Sequence, residues 1–358
     1  MTMHSARQGL PFNLRRSLIG LLVYAGFLLL AFVLLRGQGA NLARAQNAIS
    51  QANLALLGLA LGAELLRFGC MGLLLWALAA ALGVRTPLLR AIRVMLIAVA
   101  ARHLVPLGGI PDYALRARFL QRRGAPASTV AAYFLLNGVL SWLALISIFG
   151  LGFVGYVALN HGLPPQPGLF GGAALGSLGV LALLAWLWHG QRSAGHVLGW
   201  LHYLKLRAPA WLRKRLVSPE RAMPFVDELR SSLRTVQSAR GGPIALVALA
   251  MVPPLADVAA LAAVFAALGL PVRLAAMLLG YGLAAYLAFL TPLPGDAGVV
   301  EAALTLVFTS LGYDLGLVAA GVLLFRLLSF WLPIPIGLLL WWGFEAEGVA
   351  LAQPEPQA

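Results

Sequence analysis

Charged residues are scarce in this chain. Only 11% of its 358 residues are Asp, Glu, Lys or Arg, whereas 61% are hydrophobic. A water-soluble domain of this length needs much more polar surface, so the composition excludes that class of protein. The sequence therefore predicts an all-α integral membrane protein, whose polar segments are too short to form a separate soluble domain.

Acidic residues are scarcer than basic ones. The chain has 12 Asp and Glu against 26 Lys and Arg, which gives a net charge of +14. A strongly basic balance sometimes indicates a nucleic-acid partner. Here the arginines cluster beside apolar runs, as the positive-inside rule predicts for cytoplasmic loops. We therefore expect membrane lipids, and no nucleic acid, as partners.

Reactive side chains and reaction motifs are also few. The single cysteine, Cys70, lies in an apolar run and forms no intramolecular disulfide. The sequence contains no H-x-E-x-x-H or C-x-x-C metal motif, no P-loop and no G-x-S-x-G nucleophile turn. We therefore expect a protein without a metal ion, a cofactor or an enzymatic activity.

Six apolar stretches are long enough to cross a bilayer, whose hydrocarbon core is about 30 Å thick. They fall within one predicted membrane domain, 12–344, which contains a basic cytoplasmic loop at 191–242 and is followed by a short cytoplasmic tail at 345–358. The six predicted spanning helices are 18–35, 54–82, 129–159, 169–188, 244–268 and 315–344.

Two further apolar stretches do not fit a simple span. Residues 88–105 and 272–290 each run into a Pro- and Gly-rich break and then into a second short helical segment. We interpret both as broken re-entrant helical hairpins, which turn inside the membrane and return to the side from which they entered.

The distribution of Lys and Arg gives the orientation. If both hairpins are re-entrant, the basic N-terminus, the 85–93 turn, the 116–123 segment and the 191–242 loop all lie on one side. That side should be the cytoplasm, so both termini are cytoplasmic in a multi-pass protein of the inner or plasma membrane. Residues 54–159 and 244–344 then form an inverted repeat, in which broken helices mark a binding site near the bilayer midplane.

The basic loop contains an aromatic-rich stretch at 197–216, where Trp and Tyr alternate with Lys and Arg. This composition favours a helix that lies on the membrane surface. The alternative is a charged connector whose only role is to remain in the cytoplasm.

Four charged residues lie deep inside predicted spans: Glu64, Arg67, Asp257 and Arg326. A charge at the bilayer centre costs about 3 kcal/mol on insertion scales, so these side chains should face the protein interior. Glu64 and Arg67 are three residues apart, and they form either a self-neutralising structural pair or part of a site. Arg326 has no acid within one helical turn, so its partner should be Glu301 or Asp257.

Polar residues also follow the two breaks. Pro111 suits the first turn of a helix after the first break, and glycines free the backbone before the helix after the second. A helix start inside the membrane attracts an anion, for which a lipid phosphate is the obvious candidate. The alternative is that the prolines and glycines only allow short helices to pack closely. The candidate residues are Asp112, Arg116, Gly295, Gly298 and Glu301.

Three stretches carry a resemblance to a known family: 106–120 (PLGGIPDYALRARFL), 292–304 (PLPGDAGVVEAAL) and 324–334 (LFRLLSFWLPI). They resemble the transmembrane region of lysylphosphatidylglycerol synthase, the flippase-like domain of the multiple peptide resistance factor and its stand-alone relatives. Together with the spacing of the spans, the likeness extends over nearly the whole chain. It places Asp112, Arg116, Gly295, Gly298, Glu301 and Arg326 on the family's polar positions.

The resemblance implies lipid translocation by a flippase or scramblase, which holds an anionic or zwitterionic headgroup while the acyl chains stay in the bilayer. The chain ends at Ala358 without the aminoacyl-transferase domain of the full synthase, so we expect it not to make lysyl-lipid. Two alternatives stay open. One is a secondary transporter of a small anion or polar solute that uses acids as proton carriers. The other is a non-transporting partner of a lipid-modifying enzyme, and a homo-oligomer is compatible with each.

Overall fold

The computed structural model describes residues 46–104, 109–165, 168, 170–179, 242–290 and 298–348. Within these residues the elements are helices, and they form no strand. The predicted span at 18–35, the stretch at 197–216 and Gly295 lie outside the described residues. Of the span predicted at 169–188, residues 170–179 are described and helical.

The first part of the described chain forms a long helix, two short helices and a second long helix. Asn53 caps the first of them, because its side-chain oxygen accepts hydrogen bonds from the amides of Ala55 and Leu56. The residues between the two short helices belong to the Pro- and Gly-rich break. These helices are α1 (Leu54–Ala81), α2 (Leu88–Leu104), α3 (Ile110–Arg122) and α4 (Ala127–Asn160).

The second part repeats this order of long, short, short and long helices. Its last long helix consists of consecutive helical sections. Asp314 caps the start of the first section, because its side chain accepts a hydrogen bond of 3.1 Å from the Leu317 amide. The elements are α5 (Gly242–Ala267), α6 (Leu274–Leu290), α7 (Val299–Ser310), α8 (Leu315–Arg326), a π-helical segment (Leu327–Trp331) and α9 (Pro333–Gly348).

Among the described residues, four helical stretches are long and apolar enough to cross a membrane: α1, α4, α5 and the run Leu315–Trp341 through α8 and α9. Large apolar side chains on them are exposed, among them Leu54, Leu151 and Ile244. Such a surface is unfavourable in water and favourable in lipid. The chain is therefore a multi-pass membrane protein whose outer surface contacts lipid, as the sequence predicted.

The helices α1 and α5 run antiparallel at the centre of the described fold. At one end, the amide of Asn53 donates a hydrogen bond of 3.1 Å to the carbonyl of Ala267, the last residue of α5. At the other end, Leu78 of α1 packs in one cluster with Leu246 near the start of α5. The two helices consequently pass through the membrane in opposite directions.

The short helices form two contacting pairs, α2 with α3 and α6 with α7. Both α2 and α6 have 17 residues, while α3 has 13 and α7 has 12. At 1.5 Å per residue each arm extends about 18–26 Å. Each arm is thus shorter than the hydrocarbon core of about 30 Å that a full span must cross.

The first arm of each pair packs on a long helix from the other part of the chain, α2 on α9 and α6 on α4. Glycines permit both contacts. A Cβ atom at Gly282 would lie 2.8 Å from the Cα of Phe149, and one at Gly337 would lie 2.9 Å from the carbonyl oxygen of Leu96. Helix backbones approach this closely only where one helix presents a small residue.

Candidate functional site

The second short helix of each pair begins at a glycine, and an acid occupies the third helical position. Gly109 precedes α3, which contains Asp112, and Gly298 precedes α7, which contains Glu301. Gly298 has φ of 81°, a left-handed conformation that favours glycine. Its amide donates a hydrogen bond of 2.7 Å to Oε2 of Glu301, so this carboxylate satisfies the exposed start of the helix.

Asp112 forms a closed ion pair with Arg116 of the same helix. The guanidinium donates from Nη2 to Oδ2 at 2.7 Å, and its Nε lies 2.7 Å from Oδ1. Nη1 donates to the hydroxyl of Tyr133 on α4 at 3.2 Å. The side chain of Asp112 is only 7% exposed and that of Arg116 only 4%. Both carboxylate oxygens and all three guanidinium nitrogens therefore have a protein neighbour.

Glu301 pairs with Arg326, which comes from a different helix. Nε of Arg326 donates to Oε1 of Glu301 at 2.7 Å. Of the two acids that the sequence left as candidates, Glu301 rather than Asp257 is therefore the partner. The guanidinium carbon lies 4.6 Å from the centre of the Phe330 ring. Nη2 of Arg326 is buried and has no hydrogen-bond partner among the described residues. The Arg326 side chain is 10% exposed and that of Glu301 is 27% exposed, so this pair is open on one side.

The π-helical segment beside Arg326 supplies two backbone carbonyls to neighbouring helices. Pro333 has no amide hydrogen, and its ring would clash with the carbonyl four residues earlier, which is that of Ser329. That carbonyl instead accepts a hydrogen bond of 2.9 Å from Nη2 of Arg67. The next carbonyl, of Phe330, lies 3.1 Å from Nδ1 of His103, whose ring stacks on Phe330 at 4.0 Å.

Arg67 is the centre of a second charged group, which we call the central group: Glu64, Arg67, Asp257 and Tyr281. Nε of Arg67 donates to Oε2 of Glu64 at 2.7 Å and lies 3.2 Å from Oδ1 of Asp257. The hydroxyl of Tyr281 donates to Oδ2 of Asp257 at 2.6 Å. Glu64 and Arg67 are therefore not an isolated pair on one helix, because an acid from α5 joins them.

The structure thus arranges the predicted residues in three places. The central group and the Glu301–Arg326 pair are joined through the π-helical segment, because Arg67 holds the carbonyl of Ser329 three residues after Arg326. Among the described residues, Asp112 and Arg116 contact each other and Tyr133 rather than either of these groups. Gly298 caps the helix of Glu301, and Gly295 lies outside the described residues.

Four residues that make hydrogen bonds in these groups were not predicted from the sequence as site residues: His103, Tyr133, Tyr281 and Ser329. Two are aromatic residues within apolar helices, where a hydroxyl on a buried ring usually has a polar partner. Ser329 acts through its backbone, and only the proline four residues later signals that its carbonyl is free. His103 follows Arg102 at the end of α2 and is buried against the π-helical segment.

Comparison with known proteins adds one finding. A protein-family model described as "Lysylphosphatidylglycerol synthase TM region" matches residues 17–337, which confirms the resemblance found in the sequence. A search of curated proteins finds no match.

Proposed function

Because the chain belongs to the lysylphosphatidylglycerol synthase transmembrane-region family, we propose that it is a flippase or scramblase, which moves a phospholipid or related lipid between leaflets without changing it chemically. The observation that carries the proposal is that the guanidinium of Arg326 is only partly hydrogen-bonded. It is held by Glu301 through Nε, while Nη2 lacks a hydrogen-bond partner among the described residues.

A phosphate headgroup fits this arrangement. An arginine keeps its proton, so inside a membrane its remaining donors must meet a carboxylate, water or an anionic ligand. A phosphate oxygen accepts from Nη2 in a charge-assisted hydrogen bond and gains further from the nearby start of α7. The partly exposed Glu301 gives access to the pair, while acyl chains lie against the apolar outer surfaces of the helices.

The proposal includes an inverted repeat with two re-entrant hairpins. The contacts support it: α1 meets α2 as α5 meets α6, and α2 meets α3 as α6 meets α7. The arm α2 packs on α9 as α6 packs on α4, and α1 and α5 are antiparallel. In this plan each hairpin turns near the midplane, where the acid of α3 or α7 lies.

The activity is tested by reconstituting the purified chain in liposomes that contain fluorescent phosphatidylglycerol or phosphatidylethanolamine. An impermeant reductant added outside bleaches only lipid that reaches the outer leaflet. Wild-type protein should bleach nearly all the label and Arg326→Gln about half, as protein-free liposomes do. Arg273→Gln is the matched control, because it removes an arginine from the α5–α6 turn.

Two results would contradict the proposal. Absence of lipid movement for both headgroups and for total lipids of the host membrane would exclude a flippase. Uptake of inorganic phosphate by the same liposomes, without lipid movement, would favour the transporter of small anions instead.

The hairpin arrangement is tested by labelling single cysteines in a Cys70→Ala background with an impermeant thiol reagent. Cysteines at the exposed positions Pro87 and Gln121 flank the first hairpin, and Pro165 follows α4. A re-entrant hairpin puts Pro87 and Gln121 on the same side and Pro165 on the opposite side. Labelling of Pro87 and Gln121 from opposite sides would show that the hairpin crosses the membrane.

A further inference from the structure

The central group contains more acid than base. Glu64 is completely buried and Asp257 nearly so, and both face the single guanidinium of Arg67. If both carboxyls were ionised, this apolar interior would hold a net charge of −1. Such a charge is costly inside a membrane protein unless a proton or a cation neutralises it.

The hydrogen bonds locate the place for a proton. Oε2 of Glu64 accepts a hydrogen bond from Arg67, and Oδ2 of Asp257 accepts one from Tyr281. Oε1 of Glu64 is buried and has no hydrogen-bond partner in the described part of the chain. Both carboxyls approach the same nitrogen, because Nε of Arg67 lies 2.7 Å from Oε2 of Glu64 and 3.2 Å from Oδ1 of Asp257. Ionised carboxylates only accept hydrogen bonds, so a proton on one of the two acids supplies a donor and removes the excess negative charge.

Within the part of the chain that the structure describes, no second base contacts the two acids. Arg67 on α1 and Tyr281 on α6 are the charged or titratable neighbours that contact the two acids. From α2, His103 lies beside the carbonyl of Phe330, which follows the Ser329 carbonyl that Arg67 binds. The helix α4, which also packs against α1 and α5, carries no charged residue. One proton therefore makes the group electrically neutral.

We propose that Glu64 and Asp257 form a proton-binding site that is coupled to headgroup binding at Arg326. The coupling rests on the proposed function and runs through Arg67, which contacts both acids and the carbonyl of Ser329 in the π-helical segment. Release of the proton to water changes the charge of the group from 0 to −1. The second carboxylate then competes with the Ser329 carbonyl for the guanidinium, and the backbone beside Arg326 is released.

The proton site is tested by infrared difference spectroscopy of the full chain in lipid nanodiscs, between acidic and alkaline buffer. The wild type should show the signal of one protonated carboxyl, and Glu64→Gln and Asp257→Asn should each lose it. Both variants should fold, because a neutral amide resembles the protonated acid and leaves one carboxylate for Arg67. Asp314→Asn is the control, because it removes a carboxylate from the start of α8 and leaves a residue that also caps helices.

The coupling is tested in the liposome assay with and without a pH gradient. The gradient should change wild-type lipid movement severalfold and leave Glu64→Gln unaffected. A carboxyl signal that persists in both folded variants overturns the proton site. Lipid movement by the wild type that ignores the gradient overturns the coupling and leaves the proposed function standing. A normal carboxyl signal without any lipid movement supports the proton site and overturns the proposed function.

Discussion

In the two pairs of short helices, α2–α3 and α6–α7, the second helix begins in the same way, but the acid near its start has a different kind of partner. Each has a glycine before the helix and an acid at the third position. In the first, the arginine partner lies one turn later on the same helix, whereas in the second it comes from α8. The second pair therefore joins the hairpin to a long helix, and the first pair only stabilises its own helix and its contact with Tyr133.

This difference shows that the origin of the arginine decides what the acid can do. A partner one turn away on the same helix reaches both oxygens of Asp112, and the pair is closed by Tyr133. Arg326, which comes from another helix, donates to Glu301 through Nε, and its Nη2 has no hydrogen-bond partner among the described residues. Nε of Arg116 also lacks a hydrogen bond, but it lies 2.7 Å from Oδ1 of Asp112, whereas Nη2 of Arg326 has no hydrogen-bond partner among the described residues. The second arrangement therefore suits a ligand better than the first.

The largest expected effect is on stability, when the acid of each ion pair is replaced by its amide. Asp112→Asn leaves the Arg116 guanidinium buried without a counter-charge, and we expect a loss of about 3–5 kcal/mol. Glu301→Gln also removes a charge, but its side chain is 27% exposed and the amide can still accept from Arg326, so the loss should be about 1–2 kcal/mol. Thermal unfolding of both variants in the same detergent measures the difference. A larger loss for Glu301→Gln would show that the second pair is mainly structural.

A lysine at each arginine position tests where lipid binds. Arg326→Lys keeps the charge but loses the planar set of donors, so lipid movement should fall about tenfold or more, as expected for losing a hydrogen bond to a charged group. Arg116→Lys should lower the melting temperature and leave the rate per folded molecule unchanged. Lipid movement and melting temperature are measured on the same samples. Equal rates for the two folded variants would remove Arg326 from the site.

The smallest expected effect concerns the glycines before the two helices. Gly298→Ala forces a side chain into a left-handed conformation, and we expect a loss of about 1–2 kcal/mol. Gly109 has φ of −72°, which any residue adopts, and an added Cβ would lie 2.7 Å from the ring of Tyr113, an exposed side chain that can turn away. Gly109→Ala should therefore be close to neutral in thermal unfolding. Equal losses would mean that the two helix starts are more alike than their backbones indicate.

Two features of the ion pairs were predictable from the sequence: the pairing of charges one turn apart on the same helix, and the need of a buried arginine for an acid from elsewhere. The spacing of Asp112 and Arg116 gives their ion pair directly. The lack of an acid near Arg326 required a distant partner, for which the sequence left Glu301 and Asp257 as candidates. The structure selects Glu301. The long apolar runs likewise predicted the membrane-length helices α1, α4, α5 and α8–α9.

The contacts of the central group were not predictable in the same way. Asp257 meets Arg67 only because α1 and α5 pack antiparallel with one particular register. Helical periodicity identifies the buried face of each helix but does not fix the register between helices so far apart in sequence. Pro333 signalled a disturbed helix, but which residue would bind the freed carbonyl depended on the position of α1.

The packing of α2 on α9 and of α6 on α4 has a consequence for biosynthesis. When α6 is made, its partner α4 has already been synthesised, so α6 can pack as soon as it is inserted. The helix α2 is made early, but α9 is the last described helix to leave the ribosome. The helix α2, with the backbone surface at Leu96 that Gly337 later covers, must wait for nearly the whole chain. Insertion and final packing are therefore separate steps, and a chain interrupted before Gly337 leaves this surface exposed to lipid or to a membrane protease.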